Sequence, residues 1–205
     1  MLVRGVTATM STRESIKSAA RALFAAQGYS GTSVAEIAKA VQIKTPSLYA
    51  HYASKEEIFM TLVEEVLGHY RDYMKRALSR SAAFPREERL YAYFEDFVRY
   101  FRSDGTHAEF MKMLLLFPPA GLADAVRGKI AEVERELVPQ LVEAFALDTS
   151  PELSQFEAED LVAAYFSFIS GYVVGIVQLS PTLDRDRLRS VWDVFWQGFQ
   201  SKLPK

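Results

Sequence analysis

Apolar residues recur at helical spacing along most of this 205-residue chain, whereas the two-residue alternation typical of strands is nearly absent. Near the N-terminus the repeat runs through Ile16, Ala20, Leu23 and Phe24, which share one face of a helix with about 3.6 residues per turn. The pattern predicts an all-α fold. The predicted helices span residues 12–27, 34–41, 46–52, 55–79, 86–102, 107–117, 121–146, 155–179 and 185–202.

Helix starts carry capping signals that agree with this periodicity. Ser-x-x-Glu sequences fit the capping box, in which a serine hydroxyl and a glutamate carboxylate each accept a hydrogen bond from a free backbone N–H. Thr45 followed by Pro46 predicts an N-cap and a proline at the first helical position, where its missing N–H does no harm. The four capping-box serines are Ser11, Ser33, Ser54 and Ser154.

Charge is distributed unevenly along the chain. Residues 1–55 contain seven Lys or Arg and two Glu, a net charge of +5, whereas residues 56–205 carry −7. A basic end on an acidic body indicates contact with a polyanion, although a chance fluctuation in solvated charge gives the same count. The absence of cysteine excludes disulfides, cysteine-bound zinc, iron–sulfur clusters and thiol catalysis. The first residues lack an apolar stretch of signal-peptide length, so a cytoplasmic protein is expected.

The segment 32–55 (TSVAEIAKAVQIKTPSLYAHYASK) predicts two short helices joined by a turn of about four residues, which is a helix-turn-helix. Its apolar residues can pack the two helices on each other and on the helix before them. The second helix keeps small or hydrogen-bonding residues on its outer side, as a helix that enters a DNA groove about 12 Å wide requires. Its N-terminus also directs the positive end of the helix dipole towards phosphates.

This part of the sequence resembles the TetR family of bacterial repressors over roughly residues 12–65. The resemblance implies a helix-turn-helix DNA-binding domain in residues 1–55 and a larger helical domain for ligand binding and dimerisation in residues 56–205. It is carried by Phe24 and Gly28-Tyr29, by Thr32-Ser33, by Glu36-Ile37-Ala38, by the run from Thr45 to Tyr52, and by Ser54-Lys55-Glu56.

The resemblance also implies how the helix-turn-helix meets DNA. Leu48 and Tyr52 are expected in the core, and Lys44 at the edge of the groove. Each polar candidate has a plain surface interpretation as well, such as a solvated helix end for His51 or a solubilising charge for Lys44. The expected base-facing residues are Thr45, Pro46, Ser47 and Ala50, and the expected phosphate or groove-edge contacts are Ser33, Tyr49, His51 and Lys55.

Gln42 departs from the family pattern, which usually has glycine at this position of the turn. Glycine adopts a positive φ freely, whereas a glutamine in that conformation costs about 1 kcal/mol. We therefore expect either a mildly strained turn at Gln42 or a turn with a different backbone.

Most of the aromatic residues lie in residues 56–205, many of them at helical spacing. Aromatic and methionine side chains at this spacing can pack a core or line an apolar ligand cavity, and both interpretations stay open. The resemblance implies an effector pocket in this body, and we expect a mostly hydrophobic small molecule with tyrosine hydroxyls and His107 as polar contacts. The candidate ligand-binding residues are Tyr70, Met74, Phe94, Phe97, Phe101, His107, Phe110, Met111, Phe166 and Tyr172.

Residues 161–179 contain no charged side chain, and this stretch is long enough for a membrane span. Serine, glycine and glutamine within it, and acidic residues before it, instead favour burial in a protein interface. The resemblance implies that the eighth and ninth helices of two subunits form a homodimer, which presents two recognition helices about 34–36 Å apart to DNA. The candidate interface residues are Ser167, Gly171, Gly175, Trp192, Phe195 and Phe199.

No motif in the sequence indicates catalysis or metal binding. The three histidines lack HxxxH or HExxH spacing, and there is no glycine-rich phosphate loop or nucleophile elbow. We therefore predict a homodimeric transcriptional repressor, without cofactor or metal, that a small hydrophobic effector releases from a pseudo-palindromic double-stranded DNA operator. Two alternatives stay open: a helix-turn-helix DNA binder without an effector, and an all-helical adaptor that binds proteins.

Overall fold

The computed structural model describes residues 10–103, 105–146, 155–179 and 185–200. Within these ranges the chain forms nine α-helices, one 3₁₀ turn at Ala120–Leu122 and no strand, which confirms the predicted all-α class. The helices are α1 (Thr12–Gly31), α2 (Val34–Ala40), α3 (Thr45–Tyr49), α4 (Lys55–Ser81), α5 (Arg86–Arg102), α6 (Thr106–Leu116), α7 (Ala123–Ala146), α8 (Gln155–Leu179) and α9 (Arg185–Gln200).

Helix boundaries follow the predicted ones where the local signals are strong. α5 and α8 span the predicted residues, and α7 continues through Pro139. α1 extends four residues beyond its predicted end, through Gly28 at φ +73°. The extension is held at Thr32, whose hydroxyl donates to the Gly28 carbonyl at 2.9 Å and whose N–H donates to the Tyr29 carbonyl at 3.3 Å.

Three helix starts have the side-chain caps that the sequence predicts. Ser33 and Glu36 form a complete capping box: the Glu36 N–H donates to Ser33 Oγ at 3.2 Å, and the Ser33 N–H donates to Glu36 Oε2 at 2.7 Å. Hydrogen bonds from Ser33 lower the pKa of the Glu36 carboxyl. Ser11 and Ser54 each accept from the N–H three residues on, and the box predicted at Ser154 lies outside the described residues.

The start and end of α3 differ from the prediction. Lys44 is the N-cap instead of Thr45, because the N–H groups of Ser47 and Leu48 bond to the Lys44 carbonyl. The helix therefore begins one residue earlier than expected, and the proline takes its second position instead of its first. It ends at Tyr49, three residues before the predicted end, and a turn leads into α4.

α4 forms the centre of the fold and packs against α1, α5, α6 and α7. Phe24, Tyr29, Phe59 and Phe110 form what we call the junction cluster, because their rings join α1 and α4 to α6. The Phe59 ring centroid lies 5.3 Å from that of Phe24, 5.0 Å from that of Tyr29 and 5.5 Å from that of Phe110. The helix-turn-helix is thus attached to the body through buried aromatic contacts.

A group of ion pairs also joins α1 to α4 and α6. Lys17 Nζ lies 2.9 Å from Glu65 Oε2, and Arg21 NH1 lies 3.1 Å from Glu65 Oε1. Arg21 Nε also donates to Thr106 Oγ1 at 3.3 Å. Burial alone raises the pKa of the Glu65 carboxyl, but the hydrogen bonds and charges of the two cations lower it overall.

At the opposite end of the body, α9 packs against α5 and α8 through aromatic rings. Trp192 is fully buried, with its ring 5.9 Å from that of Phe94, and the rings of Phe168 and Phe195 stack at 4.1 Å. Among the described residues, no helix combines the length and apolar character needed to cross a bilayer.

Candidate nucleic-acid interface and internal cavity

α3 presents a small, hydrophilic outer face on a well-packed base. Leu48 and Tyr52 are buried, as predicted, and Tyr52 also lies under the Arg13 guanidinium of α1, at 4.7 Å from the ring centroid. Thr45 and His51 are half-buried. Lys55 is half-buried as well, and the six remaining candidates for DNA contact are exposed: Ser33, Lys44, Pro46, Ser47, Tyr49 and Ala50. Every predicted contact on α3 and its two flanks is therefore at least partly exposed.

Lys55, the first residue of α4, is held by the end of α1. Its Nζ donates to the carbonyl oxygens of Tyr29 and Thr32, both at 2.9 Å, and lies 4.2 Å from the centroid of the Tyr29 ring. The ammonium group thus satisfies carbonyls at a helix C-terminus, where a positive charge is favourable. An ammonium has three donors, so the predicted phosphate contact of Lys55 stays compatible with this arrangement and stays a prediction.

Gln42 adopts a φ of +58°, the only positive φ of a non-glycine residue within the described part of the chain. The expectation of a strained left-handed turn is therefore confirmed, and the alternative of a different backbone is wrong. The turn is anchored to the end of α2 by the Ile43 N–H, which donates to the Ala38 carbonyl at 3.0 Å.

Gln42→Gly should raise the free energy of unfolding by about 0.5 kcal/mol, because glycine relieves a left-handed strain of about 1 kcal/mol but adds freedom to the unfolded chain. Gln140→Gly, inside α7, should instead lower it by about 0.5–1 kcal/mol. Urea unfolding of both variants measures the two effects. A loss of stability in Gln42→Gly would show that the turn is not strained.

An internal cavity of about 60 Å³ lies between α4, α5, α6, α7 and α8. It would hold about two water molecules, so it is small in this conformation. Its lining is mostly apolar and aromatic. Five of the ten predicted ligand-binding residues line it, and they are Tyr70, Phe97, Phe101, Met111 and Phe166.

Four other candidates pack the core away from this cavity. Phe110 belongs to the junction cluster, and Met74 is fully buried on α4. Phe94 and Tyr172 contact each other, with ring centroids 5.1 Å apart, in the aromatic layer beneath α9. For these residues, the interpretation of the aromatic pattern as core packing fits better than the ligand-binding one.

His107 lies outside the cavity as well, at the start of α6. Its ring stacks on that of His69 with centroids 4.6 Å apart. Burial, followed by the charge of Arg21 and the neighbouring His69, lowers the pKa of His107. His107 therefore lies beside His69 of α4 and not in the cavity lining, and its role as a polar contact to an effector stays a prediction.

The outer face of α8 and α9 is exposed in a single chain. Ser167 and Gly171 are exposed, Gly175 is half-buried, and Val194 on α9 is 75% exposed although it is apolar. Phe195 is half-buried beside it. This surface has the small and apolar residues that helix-to-helix contact between two subunits requires.

Trp192 and Phe199 do not contribute to that surface. Both are buried within the protomer, Trp192 completely and Phe199 with 6% of its surface exposed. The apolar stripe of α9 that contains these two residues was predicted to lie in the interface. In the structure, both side chains pack α9 against the body of its own subunit. The two residues are therefore corrected from interface to core.

The model of the bacterial regulatory proteins of the tetR family matches residues 16–62. These residues run from the first buried position of α1, through α2 and α3, into the first part of α4, and they include all the predicted DNA contacts. Residues 16–62 carry the DNA-binding domain of the TetR family. The matched residues lie within the stretch 12–65 for which the sequence analysis stated a resemblance to this family.

Relatives of known description match much more of the chain. The biofilm operon icaADBC HTH-type negative transcriptional regulator IcaR of Staphylococcus epidermidis is 26% identical over 181 residues, which cover 84% of this chain and 92% of IcaR. AibR, solved with isovaleryl coenzyme A and operator DNA, is 24% identical with a TM-score of 0.64, covering 90% of this chain and 96% of AibR. FadR from Bacillus subtilis, solved with stearoyl-CoA, is 18% identical with a TM-score of 0.67, covering 93% and 99%. The two solved structures share the TetR-family fold of this chain.

Several residues of the candidate sites were missed by the sequence analysis, and three of them matter most for the chemistry of these sites. Arg13 covers the buried Tyr52 ring, Val194 forms the exposed apolar face of α9, and Glu134 lines the cavity. A signal for Glu134 was present, because it lies four positions after Ile130 and one after Val133, which also line the cavity. An acidic residue beside an apolar helical stripe indicates a carboxylate at the edge of the apolar interior.

Proposed function

We propose that this TetR-family chain is a homodimeric transcriptional repressor that binds operator DNA and is released by a small hydrophobic effector. The observation that carries the proposal is the accessible outer face of α3, which rests on buried Leu48 and Tyr52. The likeness to IcaR, a negative transcriptional regulator, supports the direction of regulation. A DNA-binding regulator without enzymatic activity would act in the cytoplasm, where bacterial DNA lies.

The two parts of the chain would have separate functions. Residues 1–55 would bind DNA, and residues 56–205 would bind the effector and form the dimer through the exposed face of α8 and α9. The complexes of AibR and FadR support an effector within this fold. Effector and operator would then favour different conformations, and each would weaken the binding of the other by the same factor.

Selection of operator sequences from genomic fragments, followed by gel-shift titration, tests this function. We expect a pseudo-palindromic site, bound by a dimer and released when an effector is added. Sequence-selective binding that no small molecule alters would favour the helix-turn-helix protein without an effector. The absence of any sequence-selective shift at modest salt would favour the protein-binding adaptor.

Lys55→Ala should weaken binding to every DNA sequence and flatten its salt dependence. Each phosphate contact contributes about 0.9 to the slope of log K against log salt, so the loss of two lysines from a dimer should reduce the slope by about two. Lys112→Ala, which removes a lysine paired with Glu109 on α6, is the matched control and should leave the slope unchanged. An unchanged slope in Lys55→Ala would show that Lys55 does not contact a phosphate and that its role is the structural contact with the end of α1.

Ser47→Ala should give a different signature from that of the lysine variant, because base contacts specify sequence whereas phosphate contacts position the protein. We expect altered base preference in the selected operators, with the salt slope retained. Selection repeated with the variant measures this change.

A further inference from the structure

The cavity between α4 and α8 has an acidic character that sets it apart from a purely apolar pocket. Glu134 of α7 is the only charged residue among the described residues that line it, and the other polar groups are the hydroxyls of Tyr70 and Ser170. No Lys or Arg from the described part of the chain lines it. Aromatic rings of Phe97, Phe101 and other residues form much of the rest.

Glu134 differs from Glu132 and Glu136, its neighbours on the same helix, in having no cation beside it. Glu136 is paired with Lys75 at 2.9 Å, and Glu132 lies 3.6 Å from Lys129. Within the described part of the chain, no Lys, Arg or His lies at ion-pair distance from Glu134. Glu134 is an exposed residue at the rim of the cavity, and the partial burial of its carboxyl there raises the pKa of that group.

The energetics of such a carboxyl favour a positively charged guest. A cation at the mouth of the cavity would pair with this carboxylate, and the apolar lining on one side would screen that pair less than bulk water does. Aromatic faces attract the same cation through their negative quadrupoles, and the attraction is strongest for a poorly hydrated cation. Anionic guests would meet repulsion from Glu134 and no compensating cation in the lining.

We propose that the cavity selects a lipophilic cation, an alkylated amine or quaternary ammonium, whose positive centre lies beside Glu134 and whose apolar part lies among the aromatic rings. This inference rests on the proposed function and specifies the chemistry of its effector. It separates this chain from AibR and FadR, which were solved with coenzyme A thioesters, because the phosphates of such ligands need cations that this lining lacks.

The small volume of the cavity limits how the guest would fit. A space of about 60 Å³ cannot enclose an alkyl chain, so side chains of the lining must move when the guest enters. Met111 is unbranched and adapts readily, and Leu115, which is 40% exposed, lies at the rim. The cationic centre would therefore be fixed at Glu134, while the tail displaces Met111 and follows Leu115 outwards.

Four ten-carbon probes that differ in charge test the inference: decyltrimethylammonium, decanol, decanoate and decanoyl-CoA. Each is titrated into the full-length protein by calorimetry and into the protein–operator complex by gel shift. We expect decyltrimethylammonium to bind about tenfold more tightly than decanol, and to release the operator at correspondingly lower concentration. Glu134→Gln should reduce this preference to about twofold or less, because the amide is neutral.

Glu132→Gln is the matched control, because it removes an equal charge from the same helix outside the cavity lining. It should retain the preference for the ammonium probe. A pH series adds a second readout, since the charge of decyltrimethylammonium does not titrate. Its affinity for the unmodified protein should fall as pH is lowered through the raised pKa of Glu134, while the nearby Tyr70 phenol, whose pKa burial raises well above its usual value, stays neutral.

The outcomes separate this inference from the function on which it rests. If decanoate or decanoyl-CoA binds most tightly and releases the operator, the inference is wrong and the proposed function stands. Equal affinities of unmodified protein and Glu134→Gln for the ammonium probe also overturn the inference. If selective operator binding itself is absent, the proposed function is wrong, whichever probe the cavity binds.

Discussion

Val194→Lys should convert the dimer to monomers and reduce operator affinity at least about a hundredfold. Val194 is 75% exposed in the single chain and lies in an apolar groove with Phe168 and Phe195 on the outer face of α8 and α9. In a two-fold dimer through this face, each copy would bring one lysine into the interface, beside Arg187 of the same groove. Burial of an unpaired charge costs several kcal/mol, and about 2.7 kcal/mol corresponds to a hundredfold change.

Sedimentation velocity and gel-shift titration measure the two parts of this prediction. Ala131→Lys, at an exposed position of α7, is the matched control and should remain dimeric with unchanged operator affinity. Because Val194 makes little contact within its own subunit, the thermal unfolding of the variant monomer should remain cooperative. A dimer that survives Val194→Lys would place the subunit interface elsewhere.

Phe59→Ala should lower the free energy of unfolding by about 3–5 kcal/mol, the usual cost of removing a fully buried phenylalanine. Phe59 has no exposed surface and contacts Phe24, Tyr29 and Phe110 in the junction cluster. Its loss would leave a cavity between the helix-turn-helix and the body. Operator affinity should fall as well, because the orientation of α3 depends on this contact.

Urea unfolding monitored by circular dichroism measures the change. Phe117→Ala is the control, since Phe117 is 74% exposed and its truncation should cost less than about 0.5 kcal/mol. The double variant Phe59→Ala, Phe110→Ala should be destabilised by less than the sum of the single variants, because neighbours in one cluster are not independent. A loss near zero in Phe59→Ala would contradict the close packing of the junction cluster.

Local signals in the sequence were sufficient for much of the fold. The capping box at Ser33 and Glu36 and the stripes of α5 and α8 depend on neighbours in the chain, and these elements were predicted at their observed positions. The end of α3 was placed too late because Leu48 and Tyr52 have helical spacing. Tyr52 is indeed buried, but it reaches the core from the turn after the helix.

The cavity was harder to predict because its lining comes from five helices. Helical spacing shows that Phe97 and Phe110 both face inwards, but it does not show which neighbours they meet. Phe97 faces the cavity and Phe110 faces α1, and this difference depends on how α6 is placed between α1 and α4. The same limit applies to Trp192, whose apolar stripe fits an internal helix contact and a subunit interface equally well.

Because Lys55 at the start of α4 is hydrogen-bonded to the end of α1, a tilt of α4 would move α1 as well. From Lys55 to Tyr70, which lines the cavity, the helix extends about 22 Å at 1.5 Å per residue. A tilt of about 5° around the Tyr70 end would therefore shift the Lys55 end by about 2 Å, and the α1–α2 turn with it. In a symmetric dimer the Lys55 end of α4 would shift in both subunits. A small displacement of the aromatic rings around a bound ligand would therefore change the distance between the two α3 helices by up to twice the shift within one subunit.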